Sequence, residues 1–113
     1  MEPRLASRIE VSALIRRIEG QGGTGVVVAR GDGEAGAILL LLTERGVPKT
    51  LLERVLDVSG SYRWQVAGPQ NIEGCEEVNT YIQRRRRIDD DLWIVELDIA
   101  GVQRFAAEMT STG

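Results

Sequence analysis

The chain has 113 residues, net charge −3, and 42% apolar and 27% charged residues, which suits one domain with an ordinary core. A pI of about 5.0 argues against any general attraction to nucleic-acid backbones or anionic membranes. Histidine is absent and Cys75 is the single cysteine, which excludes Ser-His-Asp and Cys-His catalysis, imidazole metal sites and an internal disulfide.

A lone thiol fits a reducing compartment, and Met1-Glu2-Pro3-Arg4 leads into no apolar signal stretch, so a cytoplasmic location is expected. Val11, Leu14, Ile15 and Ile18 fall at i, i+3, i+4, i+7 and predict an amphipathic helix over about residues 9 to 19. Ser7 with Glu10 reads as a capping box, and Gly20 as the stop. The shared parity of Leu5, Ile9 and Val11 leaves an extended start open. Gly25 to Ala29 is a β-branched run, hence a strand. The loop Gly31-Asp32-Gly33-Glu34 would join it by a hairpin to Ala37-Ile38-Leu39-Leu40-Leu41-Leu42.

That apolar run organises the rest. Without alternation it calls for cover on both faces, and it falls far short of the roughly 20 residues of a membrane span. It is the expected central strand.

Residues 49 to 57 are ambiguous. Leu51, Leu52, Val55 and Leu56 fit a helical period, and Pro48 suits a helix start. Strand is preferred because Tyr62, Trp64 and Val66 alternate and need a neighbour. Asp57-Val58-Ser59-Gly60-Ser61 supplies the turn chemistry between the two strands. A loop, Ala67 to Asn71, leads to a second helix with Asn71 as its cap and Glu73, Glu76 and Glu77 near its positive end. Cys75, Val78 and Ile82 form its buried face, with Tyr81 at the margin. It closes in Arg84-Arg85-Arg86-Arg87 and is broken by Asp89-Asp90-Asp91. Leu92 to Leu97 is a second interior strand. Val102, Phe105, Ala106 and Met109 mark a last helix, and the tail from Thr110 to Gly113 is expected to fray.

The order is α-β-β-β-β-α-β-α in a single domain spanning residues 1 to 113. The class is α+β, a mixed and mostly antiparallel sheet of about five strands with helices packed on it.

Three stretches in this order and spacing resemble a known family. They are Val11 to Arg17, Arg30 to Leu39, and Arg86-Arg87-Ile88-Asp89-Asp90-Asp91-Leu92-Trp93-Ile94-Val95-Glu96-Leu97, the last being the most specific. The chain resembles the domain-of-unknown-function family 1491 of short alphaproteobacterial proteins over nearly its whole length. It departs from that pattern at Ile88, where the family usually has an aromatic, and at Asp90, where proline is frequent. The resemblance implies a bacterial single-domain protein and carries no activity or site residue with it.

Gly20-Gln21-Gly22-Gly23-Thr24-Gly25 and Gly31-Asp32-Gly33-Glu34-Ala35-Gly36 both match G-x-G-x-x-G. A dinucleotide fingerprint needs a strand before the glycines and a helix after them. The first match reverses that order and the second joins two strands, so both read as loops. Glu76 and Glu77 point about 100° apart on a helix and cannot share one ligand. The Asp89, Asp90, Asp91 turn reads as a solvated helix stop rather than a cation site. Ser12 and Thr24 lack an activating base, and Cys75 reads as a small core residue. No catalytic residue, metal ligand or cofactor is expected.

The arginines have the strongest functional pull, since guanidinium groups grip phosphate bidentately. Four residues at about 100° each sweep most of the helix circumference, so they make a collar rather than a stripe. The aspartates that follow offset their charge. The preferred reading is a non-catalytic binding or protein-interaction module, with a protein partner or a second copy as its target. Tyr62 and Trp64, on a hairpin near a sheet edge, are the candidate interface aromatics. A nucleic-acid accessory protein using Arg84, Arg85, Arg86 and Arg87 ranks second, and an enzyme last.

Overall fold

The computed structural model describes residues 5 to 69 and 74 to 111. Among these residues, three helices and five strands follow in the expected order: α1 (Ser7–Gly20), β1 (Thr24–Ala29), β2 (Ile38–Glu44), β3 (Val47–Leu56), β4 (Tyr62–Ala67), α2 (Cys75–Ile88), β5 (Trp93–Asp98) and α3 (Val102–Thr110). The strands form one mixed sheet, β1-β5-β2-β3-β4, in which only the β2–β5 pair is parallel.

The uninterrupted run of β2 takes the centre of this sheet, and Ile38 to Thr43 are all buried. Pleating sends alternate residues to opposite sides. Ile38, Leu40 and Leu42 join Trp93, Val95, Leu97 and Leu52 under α1 and α3. Leu39 and Leu41 join Leu51 and Ile94 under Val78 of α2, with Tyr81 and Ile82 packed alongside. Residues 49 to 56 resolve as strand, within β3, because their residues are needed on both faces at once, and Asp57 falls in the turn that follows.

The first hairpin is not formed. β1 pairs with β5, and β5 lies between β1 and β2. β5 buries Trp93, Val95 and Leu97 on one face and Ile94 on the other, so it takes an inner position and leaves the more exposed β1 at the edge. The Gly31–Gly36 loop passes over the start of β5 instead of turning tightly. The Asp32 N–H donates to the Asp91 carbonyl at 3.0 Å, and Trp93 Nε1 donates to the Asp32 carbonyl at 2.7 Å. A Cβ at Gly31 or Gly36 would collide with the Asp91 carbonyl oxygen. These glycines admit backbone, not phosphate.

Two local expectations are also corrected. Ser7 does not cap α1: Ala6 is the N-cap and no side chain caps it. The Ser7 hydroxyl is buried and donates to the Gly36 carbonyl at 2.5 Å. Cys75 does not lie in the core but is exposed at the first residue of α2, one turn before the helix meets the sheet at Val78. The predicted cap Asn71, with Glu73, lies outside the described residues. α3 continues through Thr110, whose hydroxyl donates to the Ala106 carbonyl, and Gly113 lies outside the described residues.

The β2–β3 turn carries a feature that composition does not reveal. Arg45 and Gly46 both have positive φ (53° and 78°), as a type I′ hairpin requires. The Asp98 carboxylate accepts both of their N–H groups, at 3.2 and 2.7 Å, and the Thr43 hydroxyl at 2.7 Å. One carboxylate thus fixes the turn to the end of β5.

Candidate functional site

The arginine run ends α2 as expected, but its four members fall into three different settings. Arg85 forks onto Glu53 of β3, with Nη1–Oε1 at 2.7 Å and Nη2–Oε2 at 2.9 Å, and donates to the Tyr81 hydroxyl at 2.9 Å. The Glu53 hydrogen bond, aided by Tyr81 and opposed by burial, pushes the Arg85 guanidinium above its ordinary value. Arg86 donates to the Asp90 and Leu92 carbonyls at 3.1 and 2.6 Å. Arg84 and Arg87 are exposed and make no ion pair among the described residues.

The acidic turn is therefore held by backbone contacts. The Asp89 carboxylate accepts the Asp91 N–H at 3.0 Å, and Arg86 reaches the Asp90 and Leu92 carbonyls, with no arginine on the carboxylates of Asp89, Asp90 or Asp91 among the described residues. The reason is geometric: Asp89 closes an Asx-type turn on its own chain. Among the described residues no three acidic or thiol groups gather as a metal cluster would.

Arg84 lines a shallow cleft of about 390 Å³ together with Pro69, Glu76, Glu77, Thr80 and Tyr81. Acid and base meet there at helical spacing, so the cleft presents no single sign of charge.

Tyr62 and Trp64 do lie on an edge strand, β4, but both are half-buried. Trp64 packs against the larger core, and the Tyr62 ring stacks under the Arg54 guanidinium at 3.8 Å. Much of each ring is spent internally.

Arg54 itself escaped the sequence reading. It is 5% exposed, opposite Trp64 in the β3–β4 register, and donates to the Leu5 carbonyl at 3.2 Å and the Ser7 hydroxyl at 3.0 Å. Its Nε has no partner among the described residues. Burial pulls the guanidinium below its ordinary value, partly offset by facing Tyr62 and Glu10. Nothing in the local sequence marks it, since only the pleat reveals that it faces the core.

β1, the other edge, differs in kind from β4. Thr24 to Ala29 contains no charge, and Val26, Val27 and Val28 are 56%, 40% and 56% exposed. Along β4, by contrast, Arg63 and Gln65 are exposed and Pro69 follows the strand closely. Charge and proline at an edge discourage further pairing, and β1 has neither.

The fold and these surfaces define a small α+β domain with no helix, among those described, long and apolar enough to cross a membrane. The sequence matches the family described as "Protein of unknown function (DUF1491)" over residues 5–107, and the chain belongs to that family. A crystal structure of a DUF1491 family protein from Caulobacter crescentus is 32% identical, with TM-score 0.72 over 85% of this chain and 89% of that one. An NMR structure of a DUF1491 family protein from the same organism gives 33% identity and TM-score 0.75, covering 88% and 91% of the two chains. The solution structure of protein Atu0922 from A. tumefaciens gives 31% and 0.72, covering 86% and 87%. No curated protein matches the chain.

Proposed function

We propose that the chain is a non-catalytic, cytoplasmic protein-interaction module that works through the β1 edge. The observation that carries this reading is the uncharged strand Thr24–Ala29, with three half-exposed valines in succession at the rim of the sheet. An edge strand offers unpaired backbone groups to a partner, and the valines add apolar contact. The absence of histidine and of a companion thiol supports a role without chemistry. Tyr62 and Trp64 lie on β4, at the opposite edge of the sheet, and both rings are engaged within the fold.

A nucleic-acid role keeps one supporting observation, the exposed Arg84 and Arg87, which make no ion pair among the described residues. Two guanidinium groups on a chain of net charge −3 make a weak phosphate site. Filter binding of RNA and DNA at physiological salt separates the two readings, and only the nucleic-acid reading expects retention.

The interaction reading is tested in the cell of origin with a photoreactive residue at position 28, and at position 63 on β4 as control. Protein adducts from position 28 that position 63 does not give are the expected result. Equal labelling, or none, overturns the proposal.

A further inference from the structure

We propose that the occupant of the β1 edge is β1 of a second copy, paired antiparallel across a two-fold axis so that the two five-stranded sheets become one. This rests on reading β1 as an interaction edge and names what covers it. The argument is charge complementarity along the strand. β1 is uncharged from Thr24 to Ala29, so pairing with itself sets no like charges opposite one another. Its two ends differ, however. Exposed Arg30 follows the strand, while the C-terminus of α1, with exposed Glu19, precedes it.

Direction then matters. A parallel pair would place Arg30 beside Arg30. An antiparallel pair centred near Val26 places Arg30 of each copy opposite Gln21–Gly23 of the other, just beyond the end of α1. That is the negative pole of the helix, where a guanidinium is favourable. The bulge between Val27 and Ala29 in the β1–β5 ladder leaves Thr24 to Val27 in regular register, so the pairing is centred there. An isologous contact of this kind closes on itself and leaves β4, with Arg63 and Gln65, as both outer edges. The uncharged edges meet and the charged ones face water.

The 113-residue chain is studied by light scattering over a dilution series. The mass is expected to rise from 12.4 kDa toward twice that value as concentration increases. Val26→Lys combined with Val28→Lys should weaken association roughly a hundredfold, about tenfold for each buried contact replaced by a charge. The melting curve of the monomer should not move, because both side chains are exposed in it. Val66→Lys on β4 should leave the dimer intact. In a Cys75→Ser background, Val26→Cys should form a disulfide between copies and Thr24→Cys should not, because position 24 lies away from the two-fold. A 12.4 kDa mass at every concentration overturns the inference, as does a dimer indifferent to the two lysines. Equal crosslinking at positions 24 and 26 overturns the antiparallel direction. A monomer whose position 28 crosslinks to a different protein overturns the self-pairing while leaving the interaction module standing. Position 28 giving no adduct at all removes both.

Discussion

On the sheet face covered by α1 and α3, Arg54 is nearly inaccessible and, among the described residues, bonds only to neutral oxygens, the Leu5 carbonyl and the Ser7 hydroxyl. On the face covered by α2, Arg85 keeps some contact with water and forks onto the Glu53 carboxylate. Glu53 and Arg54 are consecutive in β3, so the pleat sends them to opposite faces. One strand therefore grips a helix on each side, with a carboxylate for α2 and a guanidinium for α1. The two grips are not equal. A desolvated cation without a carboxylate is costly unless every remaining neighbour favours it, and the stacked Tyr62 ring supplies part of that. The larger core tolerates such a residue because the start of α1 and the Tyr62 ring of β4 fix the groups around it. The smaller core, under one helix, holds its arginine by ionic pairing at the margin.

The largest expected effects come from emptying the two cores. Leu40→Ala under α1 and α3 should cost near the upper end of the roughly 2–5 kcal/mol range for such truncations. Leu39→Ala under α2 should fall near the lower end, because a single helix can settle into the void. Denaturant melts of both variants measure the difference, and equal losses would break the contrast between the faces.

Next in size is Arg54→Ala, expected to destabilise by about 2–4 kcal/mol through a cavity and the loss of two hydrogen bonds. Arg54→Met refills the volume without the bonds, and should recover at least half of that loss. If methionine is as harmful as alanine, hydrogen bonding rather than packing is what α1 needs from β3. Glu53→Gln should cost less, about 1–2 kcal/mol, since Arg85 retains Tyr81 and solvent. A double-mutant cycle of Glu53→Gln with Arg85→Gln should show most of that as coupling. A Glu53 cost above that of Arg54 would reverse the comparison.

These residues show where the sequence was readable. Period and composition located all the elements, because the six-residue run at β2 and the alternation at β4 are strong signals of burial on two faces or one. Pairing was harder. β1 and β2 looked like a hairpin since both are short and flanked by glycine, and no local pattern says that β5, more than fifty positions later, slots between them. The same limit hid Arg54, whose environment is assembled from Leu5, Ser7 and Tyr62. Asp98 escaped too, because its partners at 43, 45 and 46 are remote in the chain.

Acid probes that last feature separately from either arginine, because neither guanidinium releases a proton in the acid range. Hydrogen bonds from Thr43 and then Gly46 hold the Asp98 carboxyl below its ordinary value, against a smaller opposing effect of burial. A folded pKa below the unfolded one contributes stability that is fully present above about pH 4. It is lost as pH falls further, through the folded value. Asp98→Asn should lower stability at neutral pH and flatten the acid slope below about pH 4. An unchanged slope would mean that the β2–β3 turn does not depend on the charge.

The smallest effects are expected at the two arginines that belong to neither grip. A helix C-terminus favours any cation by roughly 0.3–1 kcal/mol, so a pure dipole account predicts similar, modest losses at all four positions. The contacts predict a split. Arg85→Gln loses Glu53 and Tyr81, and Arg86→Gln loses the Asp90 and Leu92 carbonyls that steer the chain into β5. These two should cost about 1 kcal/mol or more each. Arg84→Gln and Arg87→Gln remove exposed side chains without an ion pair among the described residues, and should stay within about 0.5 kcal/mol of the parent. Four single variants in one denaturant series decide it. Silent outer positions flanking costly inner ones would show that the run acts through which face each side chain meets, and a uniform set of losses would return it to the helix dipole.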